Sequence, residues 1–405
     1  MKKEKWISIG ICLALLIGTF MITAPAARAA ERPPIKVGVL LPYTGVNALA
    51  AKLVNEGVEL YFDEIGRKAG GRAIQLIKED TELNPTVGLT KVRRLVEDQK
   101  VNFIIGPLSS AVGLAIHDYI RKQKVIQVNP VATTRELTSP EKASDNIFRI
   151  CETSDQSNYT MAKWIYKNTS YRNFVTSAAD WAAGHHSLEA FKASFEESGG
   201  KVIKEVFPKM GTMDYAPFLS AIDVKGADAV YTFFTGTDAV RFVQQYQEFG
   251  LKKRLPLFGY NVLTDDPYLA SIGDAALGII TAGHYSAAVD TPRNRAFVKA
   301  YVGKYGERPS RYAEFGYTSA NVVGAVSEAL KGDVEDPPRI AKEIMRIAPK
   351  IETPAGPLAF DQYHQRIVNM FILKVEKRDG KLVNAVIDKT GSISQADVWK
   401  YWQKK

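Results

Sequence analysis

Ile35-Lys-Val-Gly-Val-Leu-Leu41 is followed, after the turn Pro42-Tyr43-Thr44-Gly45, by apolar side chains at Leu49, Leu53, Val54, Val58, Tyr61, Phe62 and Ile65. The first stretch is a near-continuous apolar run, as in a strand buried on both faces. The second recurs at three- and four-residue spacing, which puts its side chains on one face of a helix. A buried strand leading into an amphipathic helix is the repeating unit of a parallel sheet with helices on its faces.

The same unit recurs outward from this point. Gly70-Gly71 ends the helix and Ala73–Lys78 reads as a strand. Asn84-Pro85 has the form of an N-cap with proline at the first helical position, and Val92, Leu95 and Val96 form that helix's apolar face. Strand Val101–Ile105 stops at Gly106-Pro107, Ser109 or Ser110 caps the next helix, and strand Val125–Val128 stops at Asn129-Pro130. The rhythm restarts with strands at Phe174–Ala178, Val202–Phe207, Ala229–Phe234 and Leu257–Tyr260, with helical periods between them. Asn146–Asn158 lacks a strong period and reads as the connector. Near the end, Ile367–Val375 and Leu382–Ile387 flank Arg378-Asp379-Gly380, a hairpin signal. The expected fold is α/β: two lobes, each a mostly parallel sheet flanked by helices.

Composition bounds the function. The 405 residues are 46% hydrophobic and 24% charged, a globular balance too long for one small core. Residues 1–29 read as a signal peptide: a basic start at Lys2, Lys3 and Lys5, an apolar run from Trp6 to Ile22, then small residues at Ala27 and Ala29. Its removal takes away those three lysines and Arg28 against Glu4, lowering the formal charge from +9 to +6. That mild excess, without a Lys/Arg block, argues against a nucleic-acid partner. Cys12 follows Ile11 rather than a small residue, which does not suit lipidation, and Cys151 is left alone as a buried small side chain. The expected location is the periplasm, soluble after cleavage.

The motifs of common chemistries are absent. There is no dinucleotide or phosphate-binding glycine loop, no zinc-protease helix motif and no nucleophile elbow. His185-His186 are adjacent, which is not metal-pair spacing on a helix, and Asp265-Asp266 sit in a turn beside Pro267. No enzyme activity, cofactor or metal is expected. What the sequence offers is a set of polar and aromatic residues just beyond strand ends, where open α/β sheets bind ligands. These are Tyr43, Ser109, Ser110, Thr133, Trp181, Phe234, Thr235, Tyr260 and Asn261. Hydroxyls and helix-start N–H groups suit a carboxylate, and the aromatics suit an apolar body. Ser110 also reads as a helix cap, Thr133 as a turn residue, and Tyr43 and Trp181 as packing aromatics.

The chain resembles the solute-binding proteins of branched-chain amino-acid ABC transporters. The resemblance is carried by Ile35–Gly45, Ile105-Gly-Pro-Leu-Ser-Ser110, Asn129-Pro-Val-Ala-Thr-Thr-Arg-Glu-Leu137, Asp180-Trp-Ala-Ala-Gly184, Gly273-Asp-Ala-Ala-Leu-Gly278 and Gly356-Pro-Leu-Ala-Phe-Asp361. It implies lobes joined by three hinge crossings, with lobe 1 at 30–149 and 285–361 and lobe 2 at 150–284 and 362–405. It places Ser110, Thr133 and the backbone near Val131 on a ligand carboxylate. Trp181 or Ala183, and Thr235, fall on the second lobe's face of the cleft, and Tyr285 near an aromatic or apolar pocket. It also implies a permease of the inner membrane as partner. One departure bears on the ligand: amino-acid binders of the family carry an acidic residue near the position of Asn261, where this chain has Tyr260-Asn261. The expected ligand is therefore amino-acid-like, or an aromatic or branched carboxylate. The alternative function is an extracytoplasmic ligand sensor of the same fold that partners a signalling receptor.

Overall fold

The computed structural model describes residues 32–402 apart from Val46 and Asp223; the expected signal peptide and residues 403–405 lie outside the described residues. The first sheet is built from β1 (Ile35–Leu41), β2 (Lys68–Ala69), β3 (Arg72–Asp80), β4 (Phe103–Ile105), β5 (Ile126–Asn129) and β6 (Ile147–Arg149). Its order is β2-β3-β1-β4-β5-β6, parallel except where β2 pairs back on β3. The second sheet starts with β7 (Asn173–Ala178), β8 (Lys201–Val206), β9 (Ala229–Phe233), β10 (Leu257–Tyr260) and β11 (Ile280–Gly283). After a small antiparallel pair, β12 (Glu352–Thr353) with β13 (Gly356–Pro357), the hairpin β14 (Val368–Arg378) and β15 (Lys381–Ile393) completes it. Its order is β15-β14-β11-β10-β9-β7-β8, with β14 antiparallel to β11. Asp379 and Gly380 both have positive φ, as a two-residue hairpin turn requires.

Helices cover both faces of each sheet. On the first sheet these are α1 (Ala48–Glu64), α2 (Pro85–Arg93) and α3 (Ser110–Ile120); α4 (Ser154–Asn168), α5 (Ala182–Glu197), α6 (Ala216–Ser220), α7 (Gly236–Glu248) and α8 (Asp266–Ile272) follow on the second. The chain then returns to the first sheet for α9 (Pro292–Tyr305), α10 (Arg311–Ala329) and α11 (Pro337–Ile347), and ends with α12 (Gln395–Trp402) on the second. In the first sheet Val37, Val39 and Ile105 pack against Val54 and Val58 of α1 and Val323 of α10, while Leu40 and Ile104 face Val92, Val112 and Ile116. In the second, Phe174 and Tyr231 pack with Ile165 and Phe191, and Val175 and Val230 with Phe242 and Val243. Each sheet is thus buried on both faces, which is why its central strands read as unbroken apolar runs.

Two differences from the sequence reading matter for the site. The stretch 146–158 is more than a connector: it holds β6, the last strand of the first sheet, and the start of α4. Helices α9 to α11 join α1 in covering one face of the first sheet, and α10 is pressed against α1. A Cβ on Gly57 would lie 2.0 Å from the Ala313 carbonyl oxygen, and one on Gly316 would lie 1.9 Å from that of Val54. Only glycine permits this approach, and it sets the first two turns of α10 against the middle of α1.

Candidate ligand-binding site

A cavity of about 180 Å³ lies between the carboxyl ends of the parallel strands of the two sheets. The first sheet contributes Leu83 after β3, Leu108 to Ala111 after β4, Val131 and Thr133 after β5, and the helix starts Asn47, Ala50, Arg311 and Tyr312. The second contributes Trp181 and Ala183 after β7, Phe233, Thr235 and Gly236 at the end of β9, Tyr260 and Val262 at β10, and Tyr268 on α8. The N-terminal turns of α1, α3, α5 and α7 all reach this space. Their unpaired N–H groups and dipoles favour an anion there.

The polar floor is held rigidly. Asn129 Oδ1 accepts from the N–H groups of Val131 (3.2 Å) and Ala132 (3.0 Å), bending the chain after β5. The fully buried Arg149 donates to the carbonyls of Ala132 and Thr134, one on each side of Thr133. Ser110 Oγ accepts from the Thr134 N–H (3.3 Å), tying α3 to the same loop, and Thr133 Oγ1 accepts from Ser154 Oγ (3.0 Å) at the start of α4. Ser109 is the N-cap of α3, its Oγ accepting from Val112 N–H at 3.4 Å. Ser110 and Thr133 therefore use the acceptor side of their hydroxyls within the protein and keep the proton to donate.

The walls are aromatic. Phe233 and Tyr260 stack at 5.5 Å between centroids, and Trp181 leans on Phe233 at 6.4 Å. Trp181 is 37% exposed, which puts it at the mouth. Tyr260 also ends a polar chain: its hydroxyl donates to Glu152 Oε1 and accepts from Arg311 Nη2 (3.1 Å).

Behind that wall a row of buried charges links both sheets. Arg311 Nη2 lies 3.0 Å from Glu152 Oε1, Glu152 Oε2 is 2.8 Å from His284 Nδ1, His284 Nε2 is 2.9 Å from Glu314 Oε2, and Arg366 Nη1 is 3.3 Å from Glu314 Oε1. Glu152, His284 and Arg366 stand on the three passages of the chain between the sheets, while Arg311 and Glu314 stand on α10. Burial works against the charge of Arg311, Glu152, His284 and Glu314, but the opposite charges win. The Glu152 carboxyl is held far below its usual range by His284 and Arg311, and His284 is raised by Glu152 and Glu314. Burial pushes Asp265 up to about 7 despite nearby Arg311, and Asp266 up to about 6 despite a hydrogen bond from Asn384; neither lines the cavity. Burial also pushes the Cys151 thiol up to about 12, so it stays protonated.

Of the residues singled out in the sequence, Ser109, Ser110, Val131, Thr133, Trp181, Ala183 and Thr235 meet at this cavity. Phe234, Asn261, Tyr43 and Tyr285 lie elsewhere. Phe234 is one step past Phe233 on the opposite face and stacks on Phe242 at 4.3 Å in the core. Asn261 likewise turns away from Tyr260 and packs over Gly283. The Tyr43 hydroxyl donates to Asn55 (3.2 Å) and that of Tyr285 to Asn294 (3.1 Å), both against the first sheet's core. Sequence reading missed Phe233, Tyr268, Arg311 and Tyr312, while Tyr260, which it names among the aromatics of the cleft, does line the cavity. One available signal was Ser310-Arg311: a cation in the first turn of a helix opposes the helix dipole and implies an anionic partner.

A family profile described as periplasmic binding protein matches residues 34–381. The chain belongs to the periplasmic binding protein family. This binding protein is similar to an ABC transporter substrate-binding protein from Sphaerobacter thermophilus: 33% identity over 88% of this chain and 98% of that one, with a TM-score of 0.85. It is also similar to a solute-binding protein of an ABC transporter from R. palustris in complex with benzoate, at 28% identity, 89% and 98% coverage and a TM-score of 0.81. Among curated relatives, Leu/Ile/Val-binding protein homolog 6 of Brucella melitensis is 27% identical over 365 residues, 87% of this chain and 90% of that protein. Among the described residues of this periplasmic binding protein, no group of three or more His, Cys, Asp or Glu is placed to hold a metal ion. No described helix is long and apolar enough to cross a membrane.

Proposed function

We propose that this chain is the exported solute-binding component of an ABC importer and that its ligand is a small aromatic carboxylate of the benzoate class. It takes the ligand between a lobe of residues 30–149 with 285–361 and a lobe of residues 150–284 with 362–405, and passes it unchanged to a permease of the inner membrane. The reading rests on one observation: hydroxyls and helix N-termini meet aromatic walls in a cavity that has no carboxylate among its lining residues. A ligand carboxylate finds donors at Ser110, Thr133 and the first turn of α3. An ammonium would lose its hydration without gaining a counter-charge, which is costly. The size agrees, since an apolar cavity of about 150 Å³ takes up benzene and this one measures about 180 Å³. The benzoate complex of the R. palustris relative supports the aromatic assignment. The Brucella relative's name favours a branched-chain amino acid instead, and calorimetry separates the two. Benzoate is expected to bind and leucine not to; tight leucine binding with none for aryl acids overturns the proposal. Mass spectrometry of ligand carried through purification gives an independent answer.

A further inference from the structure

The loop after β3 brings Leu83 to the cavity at a cost to the backbone. Glu82 and Leu83 stand at φ +50° and +58°, and neither is glycine. A side chain is crowded by its own backbone in this region, which is why glycine or asparagine usually takes such positions. The loop is built to hold the shape. Asp80 Oδ1 accepts from the N–H groups of Tyr43 (2.9 Å) and Glu82 (2.8 Å), and its Oδ2 accepts from Thr44 Oγ1 (2.7 Å). Thr81 N–H donates to the Leu41 carbonyl (3.0 Å), and Asn84 N–H to the Thr81 carbonyl (2.8 Å). Asn84 Oδ1 then caps α2, accepting from Thr86 and Val87 N–H. Glu82 is exposed, while Leu83 is half-buried against the first sheet's core. Strain held in place beside a ligand cavity points to a use for the side chain that it carries.

The strand order locates that side chain. In β2-β3-β1-β4-β5-β6, the loop after β3 is two places from the loop with Ser110 and three from the loop with Thr133. At the spacing of neighbouring strands these are about 10 Å and about 14 Å. On the first sheet's side, Leu83 therefore closes the end of the cavity away from the carboxylate donors. We propose that Leu83 sets the length of the acid that the cavity accepts, by blocking bulk at the para position of the ring. This rests on the proposed aromatic-acid function and adds the side chain that limits it.

Calorimetry with benzoate and 4-isopropylbenzoate tests the proposal in the wild-type protein, Leu83→Ala and Leu83→Gly. The isopropyl group adds three carbons at the far end of the ring, and Leu83→Ala removes three from the end of the cavity. Forcing extra carbons into a packed site is costly. The wild type is therefore expected to bind 4-isopropylbenzoate about tenfold or more weaker than benzoate. In Leu83→Ala the order should reverse, because the isopropyl group fills the space that benzoate leaves empty. Leu83→Gly should show the same reversal; glycine suits the left-handed backbone, so this variant decides should Leu83→Ala not fold. Equal binding of the two acids by the wild type overturns the proposal. So do variants that weaken both acids by the same factor, since Leu83 would then only support the loop. Binding of leucine with no binding of either aryl acid is a different result, which removes the aromatic-acid function itself.

Discussion

Ser110 and Thr133 each accept a hydrogen bond inside the protein and keep a hydroxyl proton for the cavity. In the proposed function, removing either hydroxyl takes a donor from the ligand carboxylate, and in the protein it takes a partner from Thr134 N–H or Ser154 Oγ. Ser110→Ala and Thr133→Ala are each expected to weaken ligand binding by about 1–3 kcal/mol in calorimetry; unchanged affinity in both would move the anion site elsewhere. Phe233 and Phe234 provide a sharper test, because they are neighbours on opposite faces of one strand end. Phe233→Ala opens the cavity wall and should abolish measurable binding. Phe234→Ala removes a ring packed on Phe242 and Tyr215 and should cost about 3–5 kcal/mol in urea unfolding. If the two phenotypes were exchanged, the register of β9 at the cavity would be wrong.

The element that decides the electrostatics is α10. Its first turn carries Arg311 into the cavity, and one turn on Glu314 meets His284 and Arg366. The folded protein raises the pKa of His284 above its ordinary value of about 6.5. The His284 contribution to stability is therefore complete below that value and is lost as pH rises through the folded pKa. Thermal unfolding of His284→Gln beside the wild type should show the widest gap near pH 6 and a narrower one near pH 9; a constant gap would show that His284 is not charged in the native state. Little of this row was legible in the sequence. The βα rhythm displayed the sheets, because strands buried on both faces leave apolar runs, and it displayed the loops after them. It could not resolve the last step at a strand end, where one residue separates cavity from core; hence Phe234 for Phe233, and Asn261 taken together with Tyr260. Arg311 and Tyr312 reach the site from far along the chain, through the close contact of Gly57 and Gly316 that no local period reveals.

At the scale of the molecule, three chain passages join the lobes at a charged seam, and the cavity takes its lining from both sides of it. Packed charges of this kind are costly to leave unmatched: removing one partner of a buried pair costs about 3–5 kcal/mol. In the proposed function this seam is the pivot, and movement is left to the facing strand ends. A ligand can favour the closed arrangement only through contacts it makes better there. In the proposed function a ring acid would meet that condition with its carboxylate on Ser110 and Thr133 of one lobe and its ring on Trp181, Phe233 and Tyr260 of the other, all of which line the cavity. Acetate carries the same carboxylate but no ring, so it can occupy the first lobe's donors without engaging the second. Small-angle scattering should show the radius of gyration falling on saturation with the bound aryl acid and staying put in acetate at equal occupancy of the anion site. Equal contraction with both would mean that the carboxylate alone drives closure, and the aromatic walls would then serve selectivity rather than movement.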